Sequence, residues 1–193
     1  MDRHAELPAV AAWTQRDARD GFEVVFMRAD ATGLRLEGHV SAVEEGLPHA
    51  VRYVIATDAR VRTRNARIWG RLPERTYELS VEGDGEGTWT VDGVAAPHLD
   101  GVLDVDLEAS ACTNALPVRR LALSVGEDAP APAAYVRLDG AVERLEQGYV
   151  RLPHDGAGER YDYTSPRFDF RGLLAYDAAG LILDYPGIAV RAY

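Results

Sequence analysis

Along most of this chain apolar and polar residues alternate with a period of two, and no other feature constrains its fold so tightly. From residue 34 to 43, Leu34, Leu36, Gly38, Val40 and Ala42 point one way, while Arg35, Glu37, His39 and Ser41 point the other. Such alternation marks a half-buried antiparallel strand. Residues 21–28 read the same way, with Phe22, Val24 and Phe26 on one face, and a turn at 30–33 ending in Gly33 joins the two stretches as a hairpin. After a loop at 44–48, strands are expected at 49–56, 61–72, 76–81 and 88–91, with a hairpin tip at 83–87 and a tight turn at Asp92-Gly93. Beyond a linker at 127–132 the alternation resumes at 134–138, 142–152, 161–164, 168–176, 180–185 and 188–192. About a dozen short strands, with turn signals every ~8–12 residues, predict a mainly β fold of the antiparallel barrel or roll type.

One stretch breaks the pattern. Residues 113–123 read as a helix, with Thr113 as N-cap, Pro117 early enough to be tolerated and Gly126 as the stop. A strongly curled sheet encloses space that something must fill, and a short, largely apolar helix is suited to be that plug. Its Arg119 and Arg120 then need partners, because an uncompensated buried guanidinium costs several kcal/mol. Asp104 and Asp106 stand at strand spacing, hence on one face, and Asp58 and Asp177 sit at strand ends; a pairing between Arg119 or Arg120 and one of these acids is expected. Residues 1–20 are ambiguous: Leu7, Val10, Ala11 and Trp13 suit one helical turn, and 1–12 equally suit a loose arm that plugs a neighbour or its own roll.

With 193 residues, the chain suits a single domain with one core. Its formal net charge is −10 and all 21 basic residues are Arg. With no basic stripe, binding to nucleic acid or docking on an anionic bilayer would work against electrostatic repulsion. Cys112 is the only cysteine, the N-terminal residues lack an apolar signal region, and no apolar run approaches the roughly 18 residues of a membrane helix. A cytoplasmic protein without a transmembrane segment is expected.

Chemical motifs are sparse. Asp104-x-Asp106 resembles a metal-binding pair, but no nucleotide fold surrounds it, and partnership with the arginines is the better reading. Gly83-x-Gly85-x-Gly87 follows a strand but opens no helix, so it is a hairpin tip rather than a phosphate loop. His4, His39, His49, His98 and His154 show no metal spacing, and no hydrolase nucleophile elbow occurs. No metal, cofactor or catalytic residue is assigned. Cys112, just ahead of the helix, would gain thiolate character from the helix dipole, although a buried inert thiol is the default. The aromatics Trp13, Trp69, Trp89, Tyr53, Tyr149, Tyr161, Tyr163 and Tyr185 suit either core packing or stacking platforms for sugar rings.

The run Thr113-Asn114-Ala115-Leu116-Pro117-Val118-Arg119-Arg120-Leu121, preceded by Asp104-Val-Asp106-Leu, resembles the signature of the bacterial "putative glycolipid-binding" proteins. Further landmarks are Trp13, Gly21-x-Glu23, Tyr53 with Asp58, Thr63-Arg64, Trp89 with Asp92-Gly93, Gln147-x-Tyr149, Tyr161-x-Tyr163, and Asp177 through Gly180 to Tyr185-Pro186. Val61 stands where the family carries Trp. The resemblance spans roughly residues 13–193. It implies a spiral β-roll wrapped around a single helix, a homodimer, and a non-catalytic binder or carrier of a glycolipid or other amphipathic small molecule, with acyl chains on the apolar inner face. Candidate ligand-binding residues are Arg119, Arg120, Asn114, Asp106, Trp89, Tyr53 and Tyr149. Asp104, Asp106, Arg119, Arg120 and Pro117 are candidate structural residues. Two alternatives stay open: a carbohydrate- or ester-acting enzyme using Asp104 and Asp106 with Arg119, and an interaction protein acting through its dimer surface.

Overall fold

The computed structural model describes residues 4–154 and 158–193. Its strands are β1 (Val10–Gln15), β2 (Arg19–Asp30), β3 (Gly33–Glu44), β4 (Leu47–Thr57), β5 (Thr63–Leu72), β6 (Arg75–Gly83), β7 (Trp89–Val91), β8 (Val94–Ala95) and β9 (Asp104–Leu107). After the helix α1 (Ala115–Leu121) come β10 (Asp128–Pro130), β11 (Ala133–Val136), β12 (Val142–Leu145), β13 (Gly148–Leu152), β14 (Glu159–Ser165), β15 (Phe170–Tyr176), β16 (Ile182–Tyr185) and β17 (Ala189–Arg191). Fourteen of these form one continuous antiparallel sheet in the order β10-β13-β14-β15-β16-β17-β1-β2-β3-β4-β5-β6-β7-β8. The sheet is a spiral β-roll curled around α1 and does not close into a barrel.

A smaller sheet, β12-β11-β9, brings a departure from antiparallel pairing, because β9 and β11 run parallel. The expected strand at 142–152 accordingly divides into β12 and β13, which belong to different sheets. β9 is tied to the large sheet through Thr63, whose N–H donates to the Leu103 carbonyl and whose Oγ1 accepts the Val105 N–H at 3.2 Å.

Several local readings are corrected. Val10–Gln15 is a strand between β17 and β2, not a helical turn; residues 1–3 of the expected arm lie outside the described residues. Trp13 in this strand is fully buried and donates Nε1 to the Ile182 carbonyl at 2.8 Å. The expected loop at 44–48 shrinks to Glu45-Gly46, both at positive φ, so that β3 and β4 continue to their ends. Part of the expected linker is β10, an edge strand, where Pro130 removes no central ladder hydrogen bond. Phe22, Val24 and Phe26 do share a face of β2, but it is the outer one: Phe22 and Phe26 are 44% and 55% exposed, while Val25 and Met27 are buried.

The helix is shorter than 113–123. A 3₁₀ turn at Cys112–Asn114 leads into the seven residues of α1. Left-handed Ala122 ends it by closing its N–H onto the Val118 carbonyl, ahead of Gly126. Thr113 is not a side-chain cap; its hydroxyl donates to Asp106 Oδ1 at 2.7 Å. Capping comes from another strand. Glu23, on the inner face of β2, accepts the Ala111 N–H at 2.9 Å and the Cys112 N–H at 3.3 Å through Oε2. Its Oε1 accepts the hydroxyls of Tyr53 (2.7 Å) and Ser110. Tyr53 reaches Glu23 because its ring lies against Gly38 of β3; a Cβ there would stand 2.0 Å from the ring. Burial pushes the Glu23 carboxyl above the usual carboxylate range, and the four donors pull it back.

The roll is filled. Among the described residues, Trp13, Trp89, Tyr53, Tyr149, Ile55, Leu99 and Leu116 are all fully buried side chains that pack its inner face. Among the described residues no helix is long and apolar enough to cross a membrane.

Replacing Glu23 by Ala leaves two peptide N–H groups without their acceptor and leaves the Tyr53 and Ser110 hydroxyls, 3.1 Å apart, with only each other there. The expected loss is about 3–5 kcal/mol of folding stability, read as a lower urea midpoint, with Glu23→Gln falling between the two.

Candidate functional site

The residues around the helix divide into anchors and cavity walls. Arg120 forks onto Asp104: Nε lies 3.0 Å from Oδ1 and Nη2 lies 2.6 Å from Oδ2. Burial pushes the Asp104 carboxyl up and the guanidinium opposes it. Arg119 turns away from Asp104. Its Nη1 donates to the carbonyl of Ala179, in the turn between β15 and β16, and to that of Ala5 at 3.4 Å. His4 adds a contact to the Val118 carbonyl at 3.3 Å. The signature arginines thus fasten the plug helix to the small sheet and to the N-terminal segment.

Beside the helix lies a cavity of about 280 Å³. Its floor is Asp106, Glu108, Ser110 and Asn114; its walls carry the rings of Tyr135, Tyr163, Phe168, Phe170 and Tyr185; Arg19 and Glu44 close one side. The rings pack on one another: Tyr163 stands 6.0 Å from Phe170 and 5.9 Å from Tyr185, and Tyr135 stands 5.7 Å from Phe168, centroid to centroid. Behind them, Tyr149 packs on Tyr163 at 5.0 Å and donates its hydroxyl to Asn114 Oδ1 at 3.0 Å. The Tyr163 hydroxyl donates to Gln147 Oε1 at 2.7 Å.

Asp106 is the chemically distinctive group. It is 6% exposed; the Thr113 hydroxyl donates to it, and the Leu107 N–H, which donates to Thr113 Oγ1 at 3.3 Å, also favours the carboxylate. Burial, with smaller repulsion from Asp104 and Glu108, pushes its carboxyl up to about 6. Its charge in turn helps raise the hydroxyls of Tyr135, Tyr163 and Tyr185, for each of which burial is the larger cause. Cys112 shows the reverse of thiolate activation: burial and then the Glu23 charge push its thiol well up.

Of the candidate ligand-binding residues, the fold brings only Asp106 and Asn114 to the cavity wall. Tyr149 is one layer behind. Tyr53 is committed to Glu23, and Trp89 is a core residue donating Nε1 to the Val102 carbonyl. Arg119 and Arg120 hold the helix instead of lining the cavity. Asp104, Asp106 and Arg119 do not converge: Asp104 is occupied by Arg120, and Arg119 points elsewhere. Pro117 is buried within the helix. Trp69 is on the outer face, with the Arg52 guanidinium 4.6 Å above its ring, beside a larger groove of about 520 Å³ open along that face.

The wall residues Glu108, Tyr135, Ser165, Phe168 and Phe170 were not among the candidates. Glu108 continues the two-residue spacing of Asp104 and Asp106, and Ser165 that of Tyr163, so their sides were readable. Phe168 lies in a 3₁₀ turn that interrupts the alternation, and the Arg19–Glu44 pair meets only through the register of β2 with β3.

Fold and cavity together define a helix-plugged, open β-roll with one acidic, aromatic-walled recess beside the plug. The chain matches the family model described as "Putative glycolipid-binding" over residues 10–191, and it belongs to that family. A crystal structure of a DUF1089 family protein from Pseudomonas aeruginosa is 32% identical, with 86% of this chain and 90% of that one covered and a TM-score of 0.75. A β-barrel-like protein of domain of unknown function DUF1849 from Brucella abortus shares the fold at 11% identity and a TM-score of 0.52, over 95% of this chain and 92% of that one. No curated protein matches the chain.

Asp106 makes stability depend on pH. Its folded value near 6 exceeds the ordinary 3.8, so folding favours the protonated form. The contribution is full below about pH 4 and lost as pH rises through about 6. Asp106→Asn keeps an acceptor for Thr113 and cannot ionise. Above pH 7 it is expected to be more stable than the natural chain by about 2–3 kcal/mol, a gap closing near pH 4 in urea titrations across that range; a gap independent of pH contradicts this reading.

Proposed function

We propose that the protein is a non-catalytic binder that seats one ring-sized polar head group of an amphipathic molecule, such as a glycolipid, in the recess beside the helix. The observation that carries this reading is the meeting of a buried carboxylate, Asp106, with five aromatic rings around a cavity of about 280 Å³. Sugar rings are bound by stacking on aromatic faces while hydroxyls donate to carboxylate and amide acceptors, and Asp106 and Asn114 are such acceptors. The volume lies just below the usual range of ligand pockets, roughly 300–1,000 Å³. It suits one ring and excludes acyl chains, which would leave over Phe168, 50% exposed at the rim. The family description supports the same ligand class. Arg119 and Arg120 hold the plug in this reading, and Tyr53 and Trp89 hold the roll.

The test is native mass spectrometry after mild purification, with octyl glucoside titrated into the full chain. One bound molecule and a raised melting temperature are expected. Phe170→Ala is expected to weaken binding about tenfold, as loss of a well-packed aromatic contact does. Absence of both a co-purified molecule and any octyl glucoside effect overturns the reading.

The homodimer is part of this proposal, and so is a bacterial cytoplasmic setting. Support for the dimer is the outward face of β2, where Phe22 and Phe26 stand exposed beside Val24. Support for a reducing compartment is the single, buried and unpaired Cys112. Phe26→Arg is expected to convert a dimer into a monomer in sedimentation velocity, with the melting temperature little changed.

A further inference from the structure

The recess has a charge imbalance that a neutral sugar would leave uncorrected. Among the described residues lining it, three carboxylates (Asp106, Glu108 and Glu44) face a single guanidinium, that of Arg19. Arg19 is already engaged: Nη2 pairs with Glu44 at 3.3 Å and Nη1 donates to the Glu108 carbonyl. Asp106 has no ion-pair partner among the described residues; its neighbours there are the Thr113 hydroxyl, which donates to it, and the Leu107 N–H shared with Thr113 Oγ1. A buried carboxylate without a counter-charge is costly, and proteins normally supply a cation to it. Asp104, two residues away, has Arg120; Asp106 has an opening onto aromatic walls instead.

Those walls are of the kind that hold cations. The π faces of Tyr and Phe attract an ammonium group within about 6 Å, and more strongly when water is excluded. Ser165 is 1% exposed and lines the recess. Its hydroxyl engages that of Tyr163, which itself donates to Gln147. A serine hydroxyl has two lone pairs and can still accept from an N–H donor.

We infer that the head group taken by the recess carries a positively charged amine, as an amino sugar does, with Asp106 as its counter-ion, Ser165 as a further acceptor and the aromatic rings around the ammonium. This rests on the recess being the binding site. Phosphorylated or sulfated head groups are excluded by the same charges, and the net charge of −10 favours the approach of cations over anions.

The experiment compares glucosamine with glucose, isosteric rings that differ in the ammonium group, by titration calorimetry on the full chain at pH 7.5 and low ionic strength. The natural protein is expected to bind glucosamine at least tenfold more tightly than glucose. Asp106→Asn is expected to remove that preference while its melting temperature shows it folded; Ser165→Ala is expected to reduce it. Equal affinity for the two sugars overturns the cation assignment and leaves the recess as a binding site. Absence of binding by either sugar overturns both. A preference that survives Asp106→Asn also overturns the assignment, because the counter-ion would then lie elsewhere.

Discussion

The structure depends on how a very short helix is held inside a sheet that does not close. Seven residues cannot sustain a helix in water, since nucleation costs more than so few hydrogen bonds return. The buried Glu23 carboxylate supplies what the helix lacks. It receives the peptide N–H groups of Ala111 and Cys112 at the entrance to the helix and is itself held by Tyr53 and Ser110. One carboxylate thereby ties β2, β4 and the plug into a single unit. A sheet open at β10 and β8 needs such a tie, because no barrel closure confines what it encloses.

The same solution recurs around the plug. Arg120 joins it to β9 through Asp104, Arg119 joins it to the β15–β16 turn and the N-terminal segment, and Asn114 joins it to β13 through Tyr149. Each tie uses a charged or polar side chain that burial would otherwise penalise. Asp106 differs in kind. Its donors satisfy part of its hydrogen-bonding capacity but not its charge, and its surroundings are a recess rather than a packed wall. The contrast between two acids separated by one residue, one neutralised by a guanidinium and one facing open space, separates scaffold from candidate site.

Much of this was legible before any coordinates. Period two located most strands, though not β1, β8 or β10, and the one segment that broke it located the plug. Asp104, Asp106, Arg119 and Arg120 stood out as charges that the interior would have to accommodate. Asp106 and Asn114 are candidates by sequence, and both line the recess proposed as the site. Illegible were the contacts between distant segments. Glu23 looked like an ordinary polar residue of an alternating strand, yet it caps a helix 88 residues further along. The placement of Tyr53, Trp89 and the two arginines away from the recess was equally illegible, because aromatics and guanidinium groups have the same chemistry whether they face a packing partner or a ligand.

The sequence by itself determined the strand content, the single helical interruption and the family, because side-chain alternation and a contiguous motif are local properties. Only the tertiary structure decided which residues surround the recess. Arg19, Glu44, Asp106, Tyr135, Tyr163 and Phe170 come from six strands of two sheets, brought together by register and curl. It also decided which arginine meets which acid. Arg119 and Arg120 are adjacent in sequence, but successive helical residues point about 100° apart. One therefore reaches the small sheet, and the other reaches the β15–β16 turn and the N-terminal segment.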